Sequence, residues 1–202
     1  MRLAGLVLCL AVLAGCGGSD DRGDASSLEQ HVVDRAGFAV SVPGDWRTLD
    51  SLEDEDVDEF AEENPDFEPF LRFVKETDAL RFIALDPDVK DEFATNLNVL
   101  VTQLPSSVDF DRWIDQNVQA IRGIPSARVG RPTPEELPAG RAVHLEWSYE
   151  QRQEGVARRI NSDQYYLRDG NRVFVLTYTT LPDQAASYRE TFARSARSFE
   201  VR

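Results

Sequence analysis

The last third of the chain carries a pattern of apolar residues that allows few folds. In residues 141–150, apolar side chains fall at every second position, namely Val143, Leu145, Trp147 and Tyr149. This period of two is typical of a β-strand with one buried face. Further strands are expected at residues 156–167 and 172–180, after a turn near Glu154 and a tight turn at Asp169-Gly170. Strands joined by such short turns pair antiparallel, so the segment predicts an antiparallel meander.

The rest of the chain adds strands and helices that do not alternate. Period-two segments predict strands at residues 37–42, 79–85 and 96–104. Apolar residues three and four apart predict helices at residues 50–63, 66–76 and 109–122. Gly123 and Pro125 end the third of these helices, and Asp183 is the expected N-cap of a last helix. The proline-rich residues 131–138 are expected to form a loop.

This order of elements argues for a layered fold rather than a βαβ fold. The strand at residues 172–180 has apolar side chains on both faces, which fits a strand covered on both sides. We therefore expect the α+β class, with one antiparallel β-sheet sandwiched between helices.

The N-terminus has the order of a secretory signal. Arg2 precedes an apolar stretch at residues 3–13, which is shorter than the roughly 20 residues of a membrane-spanning helix. Leu13-Ala14-Gly15-Cys16 is similar to a bacterial lipobox, in which the cysteine receives diacylglycerol and the signal is cut before it. Residues 1–15 are therefore the expected lipoprotein signal peptide and Cys16 the expected lipidation site. The alternative is an ordinary signal peptide with a chance cysteine.

Lipidation would hold the protein on the extracytoplasmic face of the cell membrane through acyl chains such as palmitate. Residues 16–30 are rich in Gly, Ser and Asp and are expected to form a flexible tether, which leaves residues 31–202 as a single globular domain. Cys9 would leave with the signal, so no thiol would remain for a disulfide or a nucleophile. The net charge of −14 disfavours nucleic acid as a partner, because phosphate binding needs a basic surface.

Several segments together form a pattern that is found in a known protein family. They are residues 37–46, residues 96–101, the helix with Trp113, the hairpin with Tyr165-Tyr166 and Asp169-Gly170, and the closing helix with Phe192 and Ser198-Phe199. Over about residues 36–201 the chain resembles the PsbP-like superfamily, and in particular its lipoproteins from actinobacteria. The resemblance implies an α/β/α sandwich and a binding or assembly subunit without chemistry of its own. It says much about fold and little about activity. The acidic stretch from Asp50 to Glu63 is not part of the family pattern.

The trio His144, Glu146 and Ser148 is the strongest candidate for chemistry. These side chains share the polar face of one predicted strand. Residues two apart on a strand lie near 7 Å from each other, which is too far for the hydrogen bond between a nucleophile and its base. We therefore expect a polar row at the surface or beneath a helix, no catalytic residues, and a protein that is not an enzyme.

Two groups of carboxylates are candidates for a metal site. One is the stretch from Asp50 to Glu63, and the other contains Asp86, Asp88, Asp91 and Glu92. Neither has the spacing of a calcium-binding loop. The sequence therefore predicts no metal ligand and no cofactor, with a weak divalent site or a surface for a basic partner as alternatives to a solvated acidic face.

The aromatic residues favour packing over ligand binding. Core positions are expected for Trp46, Trp113 and Trp147. The alternative is an apolar slot between sheet and helix, lined by Trp147, Tyr149, Tyr165 and Tyr178.

These observations favour a lipid-anchored, non-enzymatic envelope accessory protein that binds or helps assemble another envelope protein. A second hypothesis is a carrier or sensor of a small apolar ligand such as a lipid, held in the slot. A third, an envelope hydrolase using Ser148 and His144, is not expected.

Overall fold

The computed structural model describes residues 27–49, 79–91, 93–153 and 156–202. Cys16 lies outside these ranges, as do the helices predicted at residues 50–63 and 66–76 and the turn predicted near Glu154.

The described residues form strands in two antiparallel sheets. In chain order the strands are β1 (Leu28–Val33), β2 (Phe38–Pro43), β3 (Arg47–Leu49), β4 (Leu80–Leu85), β5 (Asn96–Gln103), β6 (Arg128–Val129), β7 (Thr133–Leu137), β8 (Gly140–Gln153), β9 (Val156–Asp169), β10 (Arg172–Thr180) and β11 (Glu200–Val201). The main sheet has the order β3-β4-β5-β10-β9-β8-β6, with β7 also paired to β8. A small sheet has the order β1-β2-β11. The predicted meander is therefore confirmed as β8, β9 and β10.

Within the described residues, two α-helices cover the main sheet, and both begin where the sequence places polar residues. Helix α1 (Phe110–Arg122) has Asp109 as its N-cap, with the carboxylate accepting the backbone N–H of Arg112 at 2.8 Å. This bond satisfies one of the backbone donors that a helix start leaves unpaired. Helix α2 (Ala185–Arg197) follows β10. Neither these helices nor any other in the described ranges is long and apolar enough to cross a membrane.

The main sheet is buried on both faces. On the α2 face, α2 and the small sheet pack against a cluster that includes Phe38, Phe174 and Phe199. On the α1 face, α1 packs against a cluster that includes Val173 and Val175. Strand β10 thus sends alternate side chains into both clusters, as expected for a central strand. The predicted α+β sandwich is confirmed, and the small sheet in the α2 layer was not predicted.

Two boundaries differ from the prediction. Strand β1 begins at Leu28 and pairs along its length with β2, so the last residues of the predicted tether belong to the folded domain. The predicted loop at residues 131–138 contains β7, which pairs with β8. Pro134 is tolerated there because β7 pairs on one side only, and an edge strand needs no ladder N–H on its open side.

The cap of the last helix was also predicted wrongly. The N-cap of α2 is Gln184, and its side chain makes no capping hydrogen bond. Asp183 instead pairs its carboxylate with Lys90. The carboxylate therefore serves a contact between distant segments rather than the start of the helix.

Candidate functional site

A cleft of about 600 Å³, lined by charged, polar and apolar residues, lies on the α2 face of the main sheet. Helix α2 lines one side through Ala185, Arg189, Phe192 and Ala193, which have the spacing of one helical face. Strands β8 and β9 form the opposite wall. Because side chains alternate along a strand, the residues of β8 next to the apolar core positions point into this cleft, namely His144, Glu146 and Ser148.

His144 is held between two carboxylates at the centre of the cleft. Its Nε2 atom lies 3.1 Å from Oδ1 of Asp163, and its Nδ1 atom lies 3.9 Å from Oε2 of Glu135. The imidazole also stacks on the ring of Tyr165, with centroids 4.4 Å apart and planes 13° apart. Asp163 comes from β9 and Glu135 from β7, so three strands fix the position of this one ring.

Sheet register explains why these groups meet. Glu146 is the direct cross-strand partner of Asp163, and His144 is the partner of Tyr165. His144 therefore lies diagonal to Asp163 on the same face, within reach of long side chains. One donor atom from each of His144, Glu146 and Asp163 lies within 4.8 Å of the others, so this group is the one in the described ranges with the composition and spacing of a metal site.

Gly130 lets the segment after β6 approach β8 closely. The N–H of Gly130 donates to the carbonyl oxygen of Glu146 at 2.9 Å, and a Cβ at position 130 would lie 2.8 Å from that oxygen. Any other residue would push the segment after β6 away from the cleft. Arg128 and Arg189, both exposed, add positive charge to the lining.

The carboxylates set the protonation of the cleft. Burial lowers the pKa of His144, but the hydrogen bond to Asp163 and the charges of Asp163, Glu135 and Glu146 outweigh it, so the pKa lies above its ordinary value of 6.5. A raised histidine pKa stabilises the fold fully below about pH 6.5, and this contribution is lost as the pH rises through the folded-state pKa. Burial, followed by nearby carboxylates, raises the pKa of Tyr165 far above neutrality, so its phenol stays protonated.

Substituting Asp163→Asn is expected to lower the pKa of His144, because burial would then act against fewer opposing charges. The titration of the imidazole C–H signals by NMR, in metal-free buffer, measures this pKa. Glu190→Gln, on the exposed side of α2, is the control and should leave it unchanged. An unchanged His144 pKa in Asp163→Asn would contradict the assigned geometry.

Solved structures share this arrangement of sheets and helices. The solution structure of cyanobacterial PsbP from Synechocystis has a TM-score of 0.56 at 17% identity, covering 94% of this chain and 99% of that one. The Ran-binding protein Mog1p of Saccharomyces cerevisiae has a TM-score of 0.51 at 10% identity, covering 88% and 96%. A Pseudomonas aeruginosa protein of unknown function has a TM-score of 0.50 at 11% identity, covering 85% and 94%.

The fold is PsbP-like. The resemblance inferred from the sequence is thereby confirmed at the level of the fold. No family model matches the sequence, and no curated protein matches it either. At these identities the similarity establishes the fold alone, so the site must be judged by its own chemistry.

The PsbP-like sheet places the predicted polar trio beneath α2. His144, Glu146 and Ser148 all line the cleft, as the period-two pattern indicated. Ser148 is four residues from His144 on the same strand, or about 13 Å by strand rise. Its hydroxyl accepts a hydrogen bond from Nη1 of Arg159 at 3.3 Å. The geometry therefore does not join the trio into a nucleophile and base.

Asp86 and its neighbours have a structural position in the PsbP-like domain. Asp86 is buried, accepts the hydroxyl of Tyr188 on α2 and accepts the N–H of Asp88 at 2.8 Å. Burial, the largest effect, raises the pKa of Asp86 above its usual range. This carboxylate ties the turn after β4 to the helix, and Glu92 lies outside the described residues.

The tryptophans pack as predicted, and the alternative, an apolar slot lined by four aromatic residues, is wrong. Core contacts are made by all three, Trp46 with Tyr188, Trp113 with Tyr166 and Trp147 with Tyr149. Trp147 and Tyr149 belong to the α1-face cluster, whereas Tyr165 and Tyr178 belong to the α2-face cluster. Because the sheet separates them, these four rings do not line one slot.

Sequence reasoning missed Glu135, Asp163 and Arg189. Glu135 was assigned to a loop, and Arg189 had no signal beyond the polar side of a helix. A signal for Asp163 existed, because the strand pairing starts at Gln153 opposite Val156. From this pair, seven residues toward the N-terminus on β8 lead to Glu146, and seven residues toward the C-terminus on β9 lead to Asp163. The two residues are therefore opposite each other.

Proposed function

We propose that the protein is a lipid-anchored, non-enzymatic accessory protein on the extracytoplasmic face of the cell membrane. It binds or helps assemble another envelope protein through the cleft beside α2. The observation that carries this proposal is the cleft itself, where ordered polar groups from three strands face a helix and leave space for a partner's side chains. The signal pattern ending at Cys16 supports the anchor.

Binding fits the cleft better than catalysis. His144 has the geometry of an oriented base, with Asp163 at Nε2. Serine chemistry would need the hydroxyl within about 3 Å of that imidazole, and Ser148 is too far along the strand. The ordered groups instead resemble a recognition site, where pre-positioned polar side chains give specificity at little entropic cost.

An apolar ligand fits the cleft less well. Its lining contains Glu135, Glu146 and Asp163 together with two arginines. Burying such charges under a lipid chain would cost several kcal/mol for each group left unpaired. A polar segment of another protein meets these groups with hydrogen bonds and ion pairs, as interface rims commonly do.

Reversing one charge in the cleft tests the proposal. Glu146 is exposed, so a partner can contact its carboxylate directly. Glu146→Lys is expected to lower the recovery of the partner after crosslinking in intact cells about tenfold or more. A misplaced charge lowers the binding free energy by at least about 1.4 kcal/mol, which corresponds to a tenfold loss of affinity. Recovery is measured by mass spectrometry of the tagged protein. Glu190→Lys makes the same charge change outside the cleft and should retain the partner. Equal recovery with both variants would argue against the cleft as the binding surface.

A further inference from the structure

The donor group at the centre of the cleft has a second capacity, which lies in the spacing of three of its side chains. We propose that His144, Glu146 and Asp163 bind one divalent transition-metal ion. The proposal goes beyond the function proposed above and does not depend on any protein partner.

The distances between the three donor atoms are close to those of a metal site, and small side-chain movements would complete it. A zinc ion with bonds of about 2.0–2.2 Å holds its ligand atoms about 3–3.5 Å apart. Nε2 of His144 and Oδ1 of Asp163 are already 3.1 Å apart. The third ligand, Glu146, lies within 4.8 Å of both, and its exposed side chain has the rotational freedom to close this gap.

The histidine is oriented as metal-bound histidines are. A ligating imidazole usually presents its other nitrogen to a carboxylate, which fixes the ring and makes the ligating nitrogen more basic. Here the carboxylate of Glu135 lies 3.9 Å from Nδ1, a short shift from hydrogen-bond range, while Nε2 faces Asp163. The stacked ring of Tyr165, itself buried, prevents the imidazole from tilting away.

Charge also favours a dication. The two carboxylate ligands carry two negative charges that a divalent ion balances, with Glu135 close behind them. Arg128 and Arg189 line the cleft, but neither forms an ion pair with these carboxylates among the contacts of the described residues. The positive group that these carboxylates do contact is the His144 ring itself, whose proton at the ligating nitrogen a metal ion would displace.

The mixed donor set selects the class of metal. One imidazole nitrogen with two carboxylate oxygens suits zinc, manganese or iron, whereas calcium and magnesium prefer oxygen donors alone. Three protein ligands also leave coordination positions for water or for a partner's side chain. The site is thus open rather than a closed structural centre.

Calorimetric titration of the chelator-treated full chain with zinc chloride tests the proposal. One site per chain is expected, with magnesium chloride giving no comparable binding. The isosteric variants Asp163→Asn and Glu146→Gln are each expected to weaken zinc binding at least about 10-fold to 100-fold, the range seen when even an outer-shell partner is lost. Glu190→Gln should bind zinc like the wild type. Thermal melts confirm that the variants fold.

NMR gives a readout at the ligand itself. Zinc is expected to shift the imidazole signals of His144 at one equivalent and to leave those of His31 unchanged. Zinc binding that survives in Asp163→Asn with unchanged affinity, or a zinc titration that leaves His144 unmoved, would overturn the proposal. Either result leaves the partner-binding test untouched, because that test requires no added metal.

Discussion

Replacing Cys16 with alanine is expected to abolish incorporation of a labelled fatty acid into the protein. In the lipid-anchored form proposed above, the cysteine of the lipobox-like segment is the attachment point, and alanine has no sulfur to alkylate. Without acyl chains the domain lacks a membrane anchor, since each buried CH₂ contributes only about 0.8 kcal/mol and stable anchoring takes more than one chain. Metabolic labelling with an alkyne fatty acid, followed by gel fluorescence of the tagged protein, measures the incorporation.

Cys9 provides the matched control for this experiment. It is the other cysteine of the sequence and lies within the apolar stretch of the predicted signal. Cys9→Ala should keep full labelling, because it changes a residue that would be removed. If Cys16→Ala remained labelled, or if Cys9→Ala lost the label, the assignment of the lipidation site would be wrong.

Truncating Phe174 to alanine is expected to lower the free energy of unfolding by about 3–5 kcal/mol. Phe174 is fully buried on β10 and meets the rings of Phe38 and Phe199 edge to face, at 6.0 Å and 5.3 Å. Its removal opens a cavity where the main sheet, the small sheet and the chain after α2 come together. Since native domains are stable by only about 5–15 kcal/mol, this loss removes much of the total. Urea denaturation followed by circular dichroism measures the change.

An exposed valine serves as the comparison. Val108 is 36% exposed and lies before α1, so Val108→Ala should change the unfolding free energy by about 0.5 kcal/mol or less. If Phe174→Ala lowered the free energy of unfolding by less than about 1 kcal/mol, packing among the three rings would not hold the main sheet against the small sheet.

The sequence predicts those parts of this fold in which the pattern of buried and exposed residues is set within a single strand or helix. The face of β8 is such a case, because Val143, Leu145 and Trp147 are buried while His144 and Glu146 are not. Helix α1 is another, because its cap and its apolar stripe are both local. The errors fall where distant segments decide. Strand β7 depends on pairing with β8, and Asp183 is drawn away from the helix start by Lys90.

The candidate site was predictable only in part for the same reason. His144 and Glu146 were found on the correct face because a single strand determines it. Asp163 completes the group through cross-strand register. Glu135 joins it through β7, which is hard to predict from sequence because Pro134 lies in the strand and two further prolines flank it. The apolar slot failed because aromatic content alone does not tell which face of a sheet each ring occupies.

We propose above that this PsbP-like domain, anchored through Cys16, binds another envelope protein. Crosslinking in intact cells with tagged wild-type protein, followed by quantitative mass spectrometry, tests it most directly. One envelope protein is expected to be recovered in near-equal amount with the wild type and to be lost from the Cys16→Ala form. Recovery of no specific protein from wild-type cells would contradict it.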